Sequence, residues 1–201
     1  MPHRHLQRKS ELSRMLAIEA ARIMAEQSVQ DFDIAKRKAA ERFKIADQTL
    51  LPKNSDIQAA LHEHQRLFQG EDHDVVIREL RLHALQLMQQ LQTFAPHLVG
   101  SVLHGIADAH SQINLHVFAE NTEQVLLHLL ERNIHARHAV KKLRYQTDRF
   151  VTLPSFQFTS AYYAIEIVVF PINGIRQAPL STVDNKPMVR ANLATLRTLL
   201  Q

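Results

Sequence analysis

Several residue types are missing or scarce in this 201-residue chain, and each absence narrows what the protein can be. There is no cysteine, which excludes disulfide bonds and zinc–thiolate sites but leaves the cellular compartment open. No apolar run approaches the roughly 18 residues that a membrane-spanning helix needs. The stretch Met1-Pro2-His3-Arg4-His5 leads into amphipathic sequence rather than the apolar core of a signal peptide. We therefore expect a cytoplasmic protein without membrane partners.

The chain also lacks a large excess of charge of either sign. The 24 Lys and Arg against 20 Asp and Glu give a formal net charge of only +4. Such an excess favours anionic partners slightly, but it is too small to indicate nucleic-acid binding by itself. A hydrophobic content of 45% and a charged content of 22% are typical of a globular fold. The length suits one large domain, or a core domain with a helical extension.

The first part of the chain has apolar residues at helical spacing. The pattern predicts helices from Ser10 to about Gln27, with Ser10 as the cap, from Asp31 to Lys44, and from Ser55 to Gln69. The outer face of the second helix is basic, and this face could bind nucleic acid or phosphate. A solvated surface beside acidic neighbours is the commoner explanation. The basic residues are Lys36, Arg37, Lys38 and Arg42.

An acidic segment, Gly70-Glu71-Asp72-His73-Asp74, is the best candidate for a domain boundary. It separates a predicted all-helical segment, residues 1–70, from a predicted α+β domain, residues 71–201. Within that domain, helices are expected from Asp74 to Thr93, from Asn121, and from about Lys186-Pro187 to the end of the chain. Strands are expected at His97–Val102, Gln112–Phe118, Ala139–Arg149, Ser155–Phe158 and Ala161–Phe170.

Two short stretches of the second half carry polar side chains in a suggestive pattern. Gly100-Ser101-Val102-Leu103-His104-Gly105 forms a turn after an apolar strand, and Ser111-Gln112-Ile113-Asn114-Leu115 opens the next strand. Side chains at i and i+2 of a strand share a face, so Gln112 and Asn114 should lie together near the turn. Glu166, within Ala164-Ile165-Glu166-Ile167-Val168, is a charged residue in an otherwise apolar strand.

Over residues 80–170 this pattern resembles the nucleotidyltransferase superfamily that includes DNA polymerase beta, most closely its minimal bacterial branch. The resemblance implies an α+β core with a small mixed β-sheet, preceded here by the helical segment. It also implies that Gly100 and Ser101 bind phosphate, with His104, Gly105 and Ser111 nearby. In the family, Gln112, Asn114 and Glu166 would be the acidic triad that holds the metal ions.

Nucleotidyl transfer explains why the family needs acids at these positions. Two metal ions clamp the attacking and leaving oxygens, and Mg²⁺ prefers carboxylate oxygens together with substrate phosphates. Here two of the three positions are amides, which bring no charge to the metal. Opposite unit charges about 4 Å apart attract by about 4 kcal/mol at an effective dielectric near 20, so the substitution weakens metal binding severely.

These features leave three hypotheses for function. The first is a catalytically degenerate nucleotidyltransferase-like protein that keeps a nucleotide- or phosphate-binding cleft. The second is an active enzyme that uses ATP and Mg²⁺, with Glu166 and Asp108 rebuilding the metal site. The third is a non-catalytic module whose N-terminal helices bind a protein or RNA. Glu166 itself has a second interpretation, a structural ion pair with Lys141, Lys142 or Arg144, because an unpaired buried carboxylate is costly.

Overall fold

The protein has an α+β fold in which helices precede a mixed five-stranded sheet, and this fold class confirms the prediction. The computed structural model describes the backbone of residues 2–27, 29, 31–68 and 70–201, and the side chains of these residues except 2–6, 8, 68, 70 and 71. In this part of the chain, no helix is both long enough and apolar enough to cross a membrane.

The chain divides into two compact units. One comprises Met1–Asp74 with Thr182–Asp184, and the other comprises Val75–Ser181 with Asn185–Gln201. The acidic segment that we predicted to be a connector is helical, since α4 runs from Gly70 to Gln90. Acidic residues in the first turn of a helix interact favourably with its dipole, which explains why this segment can begin a helix.

The described part of the first unit is built mainly on three helices, and α1 packs against both of the others. Its interior is formed by small and aliphatic side chains, among them Leu16, Ala20 and Ile23 of α1, Ala39 of α2 and Ile57 of α3. Asp31 caps α2, because its carboxylate accepts hydrogen bonds from the backbone of Asp33 and Ile34. The helices are α1 (Pro2–Gln27), α2 (Phe32–Arg42) and α3 (Asn54–Phe68).

Ser10 is not the start of α1, as the apolar pattern predicted. The helix begins at Pro2 and passes through Ser10. The segment before Ser10 is mostly polar, so it adds no hydrophobic stripe by which an amphipathic helix could be recognised. Proline at the first helical position is favourable because its missing N–H group has no intrahelical partner there.

The second unit is built on the sheet, whose strand order is β1-β2-β5-β4-β3. The central pair β2 and β5 is parallel, whereas the other neighbouring pairs are antiparallel. The strands are β1 (His97–Val99), β2 (Ile113–Ala119), β3 (Arg137–Arg144), β4 (Phe150–Ser160) and β5 (Tyr163–Pro171). Three further helices are α5 (Ser101–His104), α6 (Thr122–Leu130) and α7 (Leu193–Thr198).

One face of the sheet forms the main core with α4, α6 and α7. The central strands alternate as predicted, so their odd-numbered side chains enter this core and the even-numbered ones lie on the other face. The buried core residues include Leu80, Leu87 and Met88 of α4, Leu115 and Val117 of β2, Val125 and Leu129 of α6, Ile165 and Ile167 of β5, and Leu196 of α7.

Several predicted boundaries in this unit were wrong. The first strand ends at Val99, because Gly100 turns the chain and a short helix starts at Ser101. The strand predicted at Ser155–Phe158 extends over Phe150–Ser160, and Pro154 lies where β4 is paired with β3 but not yet with β5. The last helix starts at Leu193, after the Asn192 cap, rather than near Pro187, which instead forms an isolated bridge with Leu180.

Candidate functional site

The turn after β1 requires glycine. Gly100 has φ 79° and ψ −155°, a combination that residues with a Cβ rarely adopt. A Cβ added there would lie 3.5 Å from Nδ2 of Asn114, which is ordinary van der Waals contact. The backbone conformation, rather than lack of space, is therefore the reason for glycine at this position.

The register of the sheet brings three predicted elements of the site together. Val99, the residue before Gly100, is the Cα partner of Asn114 across β1 and β2. Asn114 is in turn the Cα partner of Glu166 across β2 and β5. The turn, Asn114 and Glu166 therefore lie side by side on three neighbouring strands. We call this region the Asn114 cleft, defined by Gly100, Asn114 and Glu166 together with the partners of Glu166 described below.

Gln112 lies just outside β2 and reaches Asn114 through its backbone. Nδ2 of Asn114 donates a hydrogen bond of 3.2 Å to the carbonyl oxygen of Gln112. Both side chains are half-buried. The Asn114 amide is thus oriented by its own strand, with its nitrogen directed toward Gln112.

Glu166 is only 2% exposed, and both of its carboxylate oxygens have partners. Nζ of Lys141 lies 2.6 Å from Oε2. Nε2 of Gln157 donates to Oε1 at 2.9 Å, and the Ser155 hydroxyl contacts the same oxygen at 3.4 Å. A buried carboxylate needs such partners to remain charged. Of the three ion-pair partners that the sequence offered, the structure selects Lys141.

A second cation extends the network outward from Gln157. Nη2 of Arg137 donates a hydrogen bond of 2.5 Å to Oε1 of the Gln157 amide, while the amide nitrogen bonds to Glu166. Arg137 is exposed, and the side chain of Lys141 is 45% exposed. Arg137, Lys141 and Glu166 together carry one net positive charge. Both cations reach solvent on the β3 side of Glu166, whereas Asn114 lies on its other side, on β2.

The remaining predicted site residues lie in α5 and in the loop between α5 and β2. Gly105 caps α5 in the left-handed region with φ 71°, and His104 is the exposed last residue of that helix. Ser111 is buried, and its hydroxyl donates to Oδ1 of Asp108 at 2.8 Å. The backbone N–H of His110 also donates to that oxygen, so the carboxylate of Asp108 closes the loop. These contacts favour a structural role for Ser111 and Asp108.

The donor set does not fit a pair of catalytic metal ions. Gln112 and Asn114 supply amides where the nucleotidyltransferases that the sequence resembles have carboxylates, and Glu166 is bonded to the Lys141 ammonium. Among the residues whose side chains the structure describes, no group of three or more His, Asp or Glu could hold a metal ion. Mg²⁺ seeks carboxylate oxygens, whereas this cleft offers an ammonium group instead.

On the same face of the sheet, His116 lies against Arg190. His116 is 2% exposed, and its Nδ1 accepts a hydrogen bond of 3.1 Å from Nε of Arg190. Burial, followed by the Arg190 charge, lowers the pKa of His116 to about 3. The guanidinium also lies over the rings of Phe118 and Phe170, at 5.1 and 4.7 Å from their centroids. These two strands are thus joined by a stacked cation.

Two of the four basic residues on the outer face of α2, Lys36 and Arg42, form ion pairs within the described part of the chain. Lys36 lies 3.5 Å from Asp33, Lys38 donates to the Gln27 amide at 2.7 Å, and Arg42 lies 2.5 Å from Glu19. These pairings agree with the solvated-face interpretation, and they leave the predicted protein or RNA partner without support from the side chains.

Sequence reasoning missed Gln157, Arg137 and Arg190. The signal for Arg137 was the alternation of β3, which places it on the same face as Lys141. Gln157 lay within the predicted strand Ser155–Phe158, but nothing in the local pattern marked it as a partner of Glu166. Arg190 had no signal because it lies between elements. Lys141 was named as one of three possible partners of Glu166.

Comparison with protein-family models, with curated proteins and with solved structures gave no match for this chain.

Proposed function

We propose that this protein is a catalytically degenerate, nucleotidyltransferase-like protein that binds a nucleotide or another phosphate-bearing ligand in the Asn114 cleft without a metal ion. The observation that carries the proposal is the ion pair between Lys141 and Glu166, beside Asn114. The ammonium neutralises the one remaining carboxylate at the position where the family binds metal.

The charge of the cleft supports an anionic ligand. A nucleotide phosphate entering an acidic triad would be repelled without Mg²⁺, whereas this cleft has one net positive charge. Lys141 is half-exposed, so its ammonium can donate to a phosphate oxygen while it remains beside Glu166. Arg137 is exposed on the same face of β3 as Lys141. Its remaining guanidinium N–H groups can donate to a further phosphate oxygen.

The same residues argue against catalysis. The two-metal mechanism needs carboxylates that bridge or flank both ions, and only Glu166 is present, already bonded to Lys141, Gln157 and Ser155. Asp108, the other acid considered for a rebuilt metal site, bonds within its own loop. Binding without turnover is the function that these contacts support best.

Titration calorimetry with ATP, in Mg²⁺ and separately in EDTA, tests this proposal. We expect saturable binding in EDTA that is no tighter in Mg²⁺. We also expect that Arg137→Gln and Lys141→Met each weaken binding by about tenfold, as loss of one charge-assisted hydrogen bond would. The matched control is Lys142→Met, which changes a lysine on the opposite face of the same strand and should bind ATP like the wild type.

Two results would overturn the proposal. Binding that requires Mg²⁺ would favour an active metal-dependent enzyme, and turnover of ATP would establish one. No binding of ATP or of inorganic pyrophosphate under either condition would instead favour an interaction module. Because Lys141→Met removes a partner of a buried charge, its folding is checked by circular dichroism, and the exposed Arg137→Gln provides an independent readout.

A further inference from the structure

A cavity lies on the opposite side of the sheet from the Asn114 cleft. Its volume is about 460 Å³, and it is formed by the end of α4, the segment after α6 and the end of β4. Its walls include His83, Leu87, Gln90, Arg132, Asn133 and Ile134. We call it the His83 cavity. Small-molecule sites typically have volumes of about 300–1,000 Å³, so this cavity is of suitable size.

The imidazole of His83 has a polar atom that the protein does not satisfy. Its Nε2 is buried and has no hydrogen-bond partner among the residues that the structure describes, although the residue lines the cavity. The ring stacks at a tilt against Tyr163, with 5.3 Å between the ring centroids. Buried polar groups almost always have partners, and leaving one without a partner is costly. A ligand group that reaches this atom from the cavity would supply the missing partner.

The opposite wall presents a fixed cation. Arg132 follows α6, and its Nη1 donates a hydrogen bond of 3.1 Å to the carbonyl oxygen of His128. The next residue, Asn133, has φ 57°, and the Ile134 N–H bonds to the Leu129 carbonyl, so the chain reverses in a typical helix C-cap. One guanidinium nitrogen is engaged, which leaves the other donors of Arg132 for a ligand.

The two walls are tied together, so the cavity is preformed. His128 of α6 hydrogen-bonds to the carbonyl oxygen of Gln90 at the end of α4, over 2.7 Å, and its ring packs edge-on against Phe94. Leu87 belongs to the main core and Ile134 packs against it, and both supply apolar contact surface. None of the residues lining the cavity is an acid, although Glu131 lies 3.8 Å from Arg132 at the exposed rim.

We propose that the His83 cavity binds a small organic carboxylate, whose carboxylate lies against Arg132 and whose hydroxyl or carbonyl group hydrogen-bonds to Nε2 of His83. Leu87 and Ile134 contact the carbon skeleton between these two groups. A planar carboxylate matches the fork of a guanidinium, and an apolar pocket with a few polar groups is the usual form of a small-molecule site. This site is independent of the Asn114 cleft.

NMR titration with 4-hydroxybenzoate tests this site, because the compound carries a carboxylate, an apolar ring and a hydroxyl. The full-length protein is labelled with ¹⁵N, and the ring signals of His83 are followed. We expect a saturable shift of these signals. Benzoate, which lacks the hydroxyl, and phenol, which lacks the carboxylate, should each bind about tenfold more weakly, as expected for loss of one hydrogen-bonded partner.

Variants assign the shift to the cavity. Arg132→Gln should weaken 4-hydroxybenzoate about tenfold but leave phenol unchanged. His83→Phe, which lacks the imidazole signals, is followed through the backbone amide of Asn133 in the same cavity and should show no preference for 4-hydroxybenzoate over benzoate. Arg149→Gln, an exposed arginine that is not among the lining residues, is the matched control and should bind like the wild type.

The proposal fails if none of the three compounds shifts the His83 signals at about 10 mM, where a site with a dissociation constant of about 1 mM would be mostly occupied. It fails equally if phenol binds as tightly as 4-hydroxybenzoate, or if Arg132→Gln binds like the wild type. ATP binding in the Asn114 cleft is measured separately, so either proposal can fail without the other.

Discussion

Arg190 holds His116 in a single tautomer. Nε of the guanidinium donates to Nδ1 of the imidazole over 3.1 Å, so Nδ1 carries no proton and the neutral ring has its hydrogen on Nε2. Nη1 of Arg190 donates to the carbonyl oxygen of Gly174 at 2.8 Å. One side chain therefore joins β2 to the turn that follows β5. This contact depends on His116 remaining neutral.

Acidification should destabilise the protein through His116. The unfolded residue takes up a proton near pH 6.5, whereas the folded one does so only near pH 3. Below pH 6.5 the unfolded state binds more protons, so the free energy of unfolding falls by up to about 1.4 kcal/mol per pH unit. Between pH 7.5 and 5 this residue should account for a loss of about 2 kcal/mol, measured by urea unfolding.

His116→Asn separates this effect from other titrations. Asparagine offers an oxygen to Arg190 near the position of Nδ1 but does not titrate, so the variant should lose less stability over the same pH range. The exposed His138→Asn is the control and should retain the wild-type dependence on pH. Equal slopes for His116→Asn and the wild type would show that His116 is not the group responsible.

Arg190→Met should destabilise the second unit by about 2 kcal/mol. The substitution keeps an apolar chain against Phe118 and Phe170 but removes the charged hydrogen bonds to His116 and Gly174. Arg190→Lys retains the charge without the planar fork and should fall between Arg190→Met and the wild type. Urea unfolding gives the free energies, with the exposed Arg197→Met expected within about 0.5 kcal/mol of the wild type.

Lys141→Met should cost about 2–3 kcal/mol, because it leaves the buried Glu166 carboxylate with only Gln157 and Ser155. Removing one partner of a fully buried ion pair costs about 3–5 kcal/mol. We expect a smaller cost here because the Lys141 side chain is half-exposed. Adding Glu166→Gln to Lys141→Met should recover most of the loss. A double-mutant cycle with coupling near zero would contradict the ion pair as a stabilising contact.

Gly100→Ala should cost about 1–3 kcal/mol, because φ 79° with ψ −155° is accessible almost only to glycine. Gly105 provides the comparison, since φ 71° with ψ 27° is the left-handed region that asparagine tolerates. Gly105→Asn should therefore cost clearly less than Gly100→Asn in thermal unfolding. Equal costs would mean that the turn after β1 relaxes to accept a side chain.

Restoring the acids should create a metal site only if the family mapping is correct. The triple variant Gln112→Asp, Asn114→Asp, Lys141→Met places two new carboxylates beside Glu166 and removes its ammonium partner. We expect MgCl₂ to raise its melting temperature while leaving the wild type unchanged, because ligand binding to the folded state stabilises it. The control combines the two acids with Lys142→Met and retains Lys141, so its response to Mg²⁺ should be weaker. No response in the triple variant would contradict the mapping.

Local signals in the sequence were sufficient for much of the fold. Asp31 and Asn121 were predicted at helix starts and do cap α2 and α6, because a side-chain oxygen next to free backbone N–H groups acts locally. The faces of β5 followed from strict alternation. The length of β4, in contrast, was underestimated because Pro154 normally argues against a strand. Whether a strand can contain a proline depends on how the neighbouring strands pair with it.

The sequence by itself determined that Glu166 must have a partner and that Gly100 makes a turn. It also determined that Asn114 and Glu166 each lie on the strand face opposite to that of their apolar neighbours. These are consequences of burial, backbone sterics and the two-residue period of a strand. Only the tertiary structure decided that β2 and β5 are parallel neighbours, which places Asn114 opposite Glu166, and that Lys141, rather than Lys142 or Arg144, reaches its carboxylate. Arg190 and the His83 cavity likewise depend on residues far apart in the chain, and such contacts are set by packing rather than by local pattern.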